Sequence, residues 1–161
     1  MFDNSHARIE AQQKRLDALF ERARDMSNDA ELLSHWAKYL CVLVCGFLEN
    51  SVELCLIDYC RKRGDENMNN FVSNELRSFQ NPRMGKILEL FGSFSKTWEE
   101  DLKQHSEGRI SDAINSIVAN RHLIAHGGTS QLSMSAVKGY YADVIRAVET
   151  MRSICGTAGG K

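Results

Sequence analysis

Arg121, His122 and His126 are the residues whose types and spacing could do chemistry in this chain. They lie in ISDAINSIVANRHLIAHGG, residues 110–128, where Ile110, Ile114, Ile117, Val118 and Ile124 recur at helical spacing. Arg121 falls in the middle of that apolar stripe, and a buried, unpaired guanidinium is costly. Two readings are open. In one, Arg121 closes an internal salt bridge to a carboxylate such as Glu49 or Glu53; in the other, the stripe faces an anion-binding groove or a subunit interface. His126 follows at about 140° around the helix from Arg121, so one face does not hold both. They can converge if the helix unwinds at Gly127-Gly128, or if a second copy of the chain supplies half of the site. As a structural residue, His126 would sit in the last turn before a C-cap glycine, where an imidazolium suits the helix dipole. His122 and His126 have the i, i+4 spacing of zinc-binding helices. No glutamate follows His122 and no nearby Cys or Asp offers a third ligand, so neither a metal nor a cofactor is expected.

The elements that must position these side chains read as helices. A single proline and no sustained apolar–polar alternation predict an all-α fold. It should be an up-and-down bundle of four to five main helices with short extra ones. A first helix is predicted over Ser5–Met26, and Ser27-Asn28-Asp29 then supplies oxygens to cap the next. That next helix, Ala30–Arg63, is apolar on most of its girth and should be the central one. A short helix is expected around Phe71–Phe79. Asn81-Pro82 reads as an N-cap with proline in the first helical position, and Thr97-Trp98-Glu99-Glu100 has capping-box spacing. The Arg121 helix is predicted over Arg109–His126, and the last over Ser133–Cys155. Residues 1–155 are expected to form one domain, with 156–161 a flexible C-terminal tail.

Composition narrows the function classes. Twenty Lys and Arg against 21 Asp and Glu give a formal charge of -1 over 161 residues. No global basic field exists to hold nucleic acid, so such a contact needs a local patch, to which Arg61-Lys62-Arg63 could contribute. The apolar run Tyr39–Leu48 is short of the roughly 20 residues that span a bilayer, and the polar N-terminus lacks a signal-peptide core. Five cysteines, an odd number set in apolar helical sequence, read as buried free thiols of a reducing cytoplasm. Trp36 and Trp98 read as packing residues, and one of Tyr140-Tyr141 must face inward by periodicity.

Arg121-His122-Leu123-Ile124-Ala125-His126-Gly127 resembles the Arg-x(4–6)-His signature of the HEPN superfamily, small helical bundles that are frequently metal-independent endoribonucleases. Gly46-Phe47-Leu48-Glu49 on a long apolar helix, the Asn81-Pro82 step and the Ile-Ala-His-Gly helix end also match. The likeness runs over roughly Leu32 to Val148 and is greatest to the RiboL-PSP-HEPN or MAE_28990-like branches. It implies a cytoplasmic, two-fold homodimer that brings two motifs into one cleft and takes RNA as substrate. It also implies a toxin–antitoxin or antiviral defence setting, with an antitoxin or defence protein as partner and no membrane. Arg121 would bind the scissile phosphate and stabilise developing charge. His126 would act as general acid or base in attack by the ribose 2′-hydroxyl. Glu49, His122 and Asn120 would be supporting residues.

These types suit that reaction. Histidine exchanges protons near neutral pH, and arginine is a permanent, planar cation shaped for phosphate oxygens. Two features depart from the family pattern. Many members have Asn after the arginine, where this chain has His122. A tyrosine two residues past the histidine marks members silenced by nucleotidyltransferase antitoxins; Gly128 stands there, which argues against that regulation. The alternative is a catalytically silent HEPN-like homodimeric interaction module.

Overall fold

In the computed structural model, which describes residues 5–26 and 28–157, the apolar girth of one segment sets the architecture. Ser5–Arg24 forms α1, Ala30–Arg61 α2, Glu66–Leu76 α3, Met84–Phe94 α4, Lys96–Ser106 α5, Arg109–Ala125 α6 and Met134–Thr157 α7. Among the described residues the fold is all-α. Four long helices, α1, α2, α6 and α7, make the bundle, and three 11-residue helices are inserted between α2 and α6.

The central place of α2 follows from its composition. Leu40, Cys41, Val44, Phe47, Leu48, Val52 and Leu56 are fully buried, covered by α1, α6 and α7. An 18-residue window of α2 has the apolarity of a bilayer span, yet 61% of that window is buried within the bundle, which marks a core helix. Ile114 and Ile117 of α6 and Val137, Val144 and Met151 of α7 complete the core. Tyr141 is the inward member of its pair. It stacks on Phe20 at 4.7 Å and donates to Asp17 Oδ1 at 2.6 Å, and burial with that carboxylate raises its phenol pKa. Trp98 packs in an aromatic cluster with Tyr59, Phe91 and Phe94, and Trp36 sits edge-on to Tyr39. All five cysteines are free, and burial pushes the Cys41, Cys45 and Cys55 thiols up to about 12.

Several boundaries differ from the sequence expectation, each for a local reason. α1 ends at Arg24 and α2 at Arg61, short of Met26 and Arg63. Asp29 is the N-cap of α2, accepting from Leu32 N–H at 2.9 Å, whereas Ser27 lies outside the described residues. α3 begins earlier than Phe71 because the Asp65 carboxylate caps the Met68 N–H at 2.9 Å. The cap of α5 is Ser95 rather than Thr97. Ser95 is extended and closes α4 while opening α5, its hydroxyl accepting from Trp98 N–H at 3.5 Å. α7 continues through Gly156 and Thr157, two residues into the expected tail; 158–161 lie outside the described residues.

The Asn81-Pro82 expectation is the consequential correction. Pro82 is not the first residue of α4: the helix starts at Met84 with Arg83 at its N-cap and no side-chain cap from Arg83. Asn81 instead has a left-handed backbone, φ 52°, the one positive-φ non-glycine among the described residues. The free N–H of Met84 is capped from another element, by Asn115 Oδ1 of α6 at 2.9 Å. The turn before α4 is therefore pinned to α6, the helix that carries Arg121.

Candidate functional site

α6 presents Arg121 to the interior because its apolar stripe demands it. Ile114, Ile117 and Val118 are buried against α2 and α7, and Arg121 continues the same side one turn later. The carbonyl of Ile117 accepts from Cys41 Sγ at 3.5 Å, which seats this stretch of α6 on α2. Arg121 is half-buried. Its Nη1 donates to Asn81 Oδ1 at 2.8 Å. Among the described residues no carboxylate lies within ion-pair distance of it. The internal salt bridge to Glu49 or Glu53, one of the two readings the sequence left open, is therefore not formed. Glu53 instead lines a separate groove of about 670 Å³ between α1 and α2.

Glu49 lies beside Arg121 without pairing with it. Its Oε1 accepts the Asn81 backbone N–H at 2.9 Å and the Cys45 thiol at 3.8 Å. Cys45 feels both charges: burial first and Glu49 next raise its pKa, and Arg121 opposes them. Glu49, Asn81 and Arg121 thus form a line across three elements: α2, the turn before α4, and α6. Arg121 was singled out by its place on an apolar stripe, and Glu49 as a possible salt-bridge partner beside Glu53 and through the family resemblance. Asn81 was missed as a site residue because an Asn-Pro step reads first as a helix start. The signal that could have found it is the tolerance of asparagine for left-handed backbone.

The two histidines occupy a different side of α6. His122 and His126 are exposed, with ring centroids 4.4 Å apart and planes tilted by 55°. Helical spacing brings them together, as the sequence implied, and their neighbour Leu123 is also exposed. Among the described residues no group of three His, Cys, Asp or Glu side chains has metal-holding geometry. His126 is the C-cap of α6 (φ -96°, ψ 13°). Beyond it Gly127 turns left-handed at φ 71°, and the Gly128 and Gly127 N–H groups return to the carbonyls of Leu123 and Ile124 at 2.8 and 3.3 Å. That is a Schellman termination, and its left-handed residue favours glycine at position 127. The helix does not unwind to bring His126 onto the Arg121 side.

Asn120 serves the architecture. Its Nδ2 donates to the Ser116 carbonyl at 2.8 Å, and its Oδ1 accepts from the buried Ser130 hydroxyl at 2.8 Å. The loop after His126 is thereby tied back to the helix. Arg61 and Lys62 end α2 on the surface, with Lys62 paired to Asp58 at 2.7 Å and Arg63 stacked on Tyr59 at 4.2 Å. Within one chain, then, Arg121 joins Glu49 through Asn81, His126 joins His122, and the two sets leave α6 in different directions.

Compared with known proteins, residues 7–157 match the family model described as RiboL-PSP-HEPN. No curated protein and no solved structure matches the chain.

Proposed function

The chain belongs to the RiboL-PSP-HEPN family of the HEPN superfamily, and from that premise we propose that it is a metal-independent endoribonuclease acting as a homodimer. The observation that carries this reading is the state of Arg121: a half-buried cation, oriented by a neutral oxygen, with no carboxylate paired to it among the described residues. Such a group meets an anion at little reorganisation cost, because its fork is already aimed. Arg121 binds the scissile phosphate and stabilises the pentacovalent phosphorane. His126 takes the 2′-hydroxyl proton or donates one to the 5′-oxygen leaving group. Its exposed neighbour His122 stands where it can share that proton traffic.

Separation of Arg121 from His126 within one chain favours a cleft shared by two copies, in which one histidine is base and its mate acid. Leu123, exposed between the two histidines, gives that seam an apolar contact. The products are a 2′,3′-cyclic phosphate and a 5′-hydroxyl. The setting we assign is cytoplasmic, in toxin–antitoxin or antiviral defence, with an antitoxin or defence protein as regulator. Purified protein should cut single-stranded RNA in EDTA, while Arg121→Ala and His126→Ala abolish cutting with helicity intact. A zinc requirement together with an active His126→Ala variant contradicts the mechanism.

One observation favours the silent interaction module. Leu32, Tyr39 and Val42 are exposed along one side of α2, with half-buried Trp36 among them, and the net charge is -1. Intact dimers that leave total RNA and transfer RNA uncut would select this alternative.

A further inference from the structure

The turn before α4 contains a residue in an unfavourable backbone conformation whose side chain reaches Arg121. Asn81 holds φ 52°, a region that disfavours L-residues and that asparagine tolerates better than most. Three contacts fix it there. Its N–H is held by Glu49 Oε1 at 2.9 Å, its carbonyl accepts from Arg83 N–H at 3.0 Å, and its side-chain Oδ1 receives Arg121 Nη1 at 2.8 Å. The next residues are anchored independently: Met84 N–H bonds to Asn115 Oδ1, and Lys86 Nζ donates to the Gln80 carbonyl at 2.8 Å. Asn81 Oδ1 is therefore presented to Arg121 from a rigid turn.

We propose that Asn81 is the positioning residue of the Arg121 guanidinium, and that its lack of charge is what leaves Arg121 able to bind phosphate. A carboxylate at this place would aim the fork equally well but neutralise it. The nearby carboxylate, Glu49, bonds through Oε1 to the Asn81 N–H and the Cys45 thiol and forms no ion pair with Arg121 among the described residues. Asn81 thus stands between Glu49 and Arg121, tied to the first by its N–H and to the second by Oδ1, and presents a neutral oxygen to the cation. The arrangement deepens the ribonuclease reading and rests on it for its catalytic consequence; the orienting role itself rests on geometry alone.

Two variants separate orientation from charge. Asn81→Gly accepts the left-handed backbone and retains the N–H to Glu49 while removing the side chain that carries Oδ1. Asn81→Asp keeps an acceptor and adds a charge. Circular dichroism and sedimentation serve as controls for fold and assembly. The readouts are the Arg121 side-chain NH resonances in 15N NMR, titration with inorganic phosphate, and steady-state cleavage of a single-stranded RNA. In Asn81→Gly the Arg121 resonances should show averaging from a freed side chain, and kcat should fall about tenfold or more with a smaller change in KM. In Asn81→Asp the resonances should stay those of a fixed side chain, while phosphate affinity falls about tenfold and KM rises. Unchanged Arg121 resonances in Asn81→Gly, or undiminished phosphate binding in Asn81→Asp, overturns the proposal. If the wild type cuts no RNA, the ribonuclease reading fails, and the resonance and phosphate measurements still decide the role of Asn81.

Discussion

Asn120 and Ser130 share a 2.8 Å hydrogen bond that fastens the loop after α6 to the helix carrying Arg121 and His126. Ser130 is buried, so its hydroxyl has no water to fall back on. Ser130→Ala should cost about 1–2 kcal/mol, because Asn120 Oδ1 is left without its donor. Faster amide exchange over 126–133 than in the rest of the bundle would locate the loss. Uniform exchange with unchanged stability would show that the bond contributes nothing to loop order.

The termination of α6 fixes where His126 points. Gly127→Ala forces an L-residue to φ 71° and should lower stability by roughly 1 kcal/mol. Nothing crowds the site of the added Cβ, so the effect is conformational rather than steric. Cleavage should fall more than stability does, since His126 precedes the distorted residue. Wild-type kcat and Tm in this variant would contradict the account of the helix end.

The buried thiols give the fold an alkaline weakness. Burial raises the Cys55 pKa from 9.0 to about 12, so the folded state binds that proton more tightly than the unfolded state. The associated stability is fully present below pH 9.0 and is lost as pH rises toward about 12. Cys55→Ala should be less stable than wild type at neutral pH through its cavity. The gap between the two should narrow above pH 9.0, because the variant has no thiol to ionise. Urea unfolding at a series of pH values measures it; a constant gap would contradict the assignment.

Assembly follows from the divided site. Arg121 and His126 leave α6 in different directions, so the proposed cleft needs a second copy. Sedimentation should give a mass near twice 18.2 kDa at micromolar concentration. A strict monomer that retains cleavage would remove the shared cleft.

How much of this was legible in the sequence depended on whether the deciding interaction was local. The unbroken apolar girth of α2 announced a central helix, and the interruption of α6's stripe by Arg121 marked the candidate site. Both are properties of a single segment. Asp65 and Ser95 shifted helix starts by a few residues, since several nearby side chains had the chemistry to cap. Asn81 was read as a cap because its partners, Glu49 and Arg121, lie 32 and 40 residues away. That a neutral amide rather than a carboxylate meets Arg121 likewise required the fold, since spacing along α6 says which way a side chain leaves but not what meets it.

The most direct measurement of the central claim is end-group analysis of single-stranded RNA incubated with the wild type in EDTA, beside the same sequence as DNA and beside Arg121→Ala. The account predicts 2′,3′-cyclic phosphate and 5′-hydroxyl ends from RNA, no cutting of DNA, and no products from the variant. Cleavage of DNA, or RNA products that persist in Arg121→Ala, would contradict it.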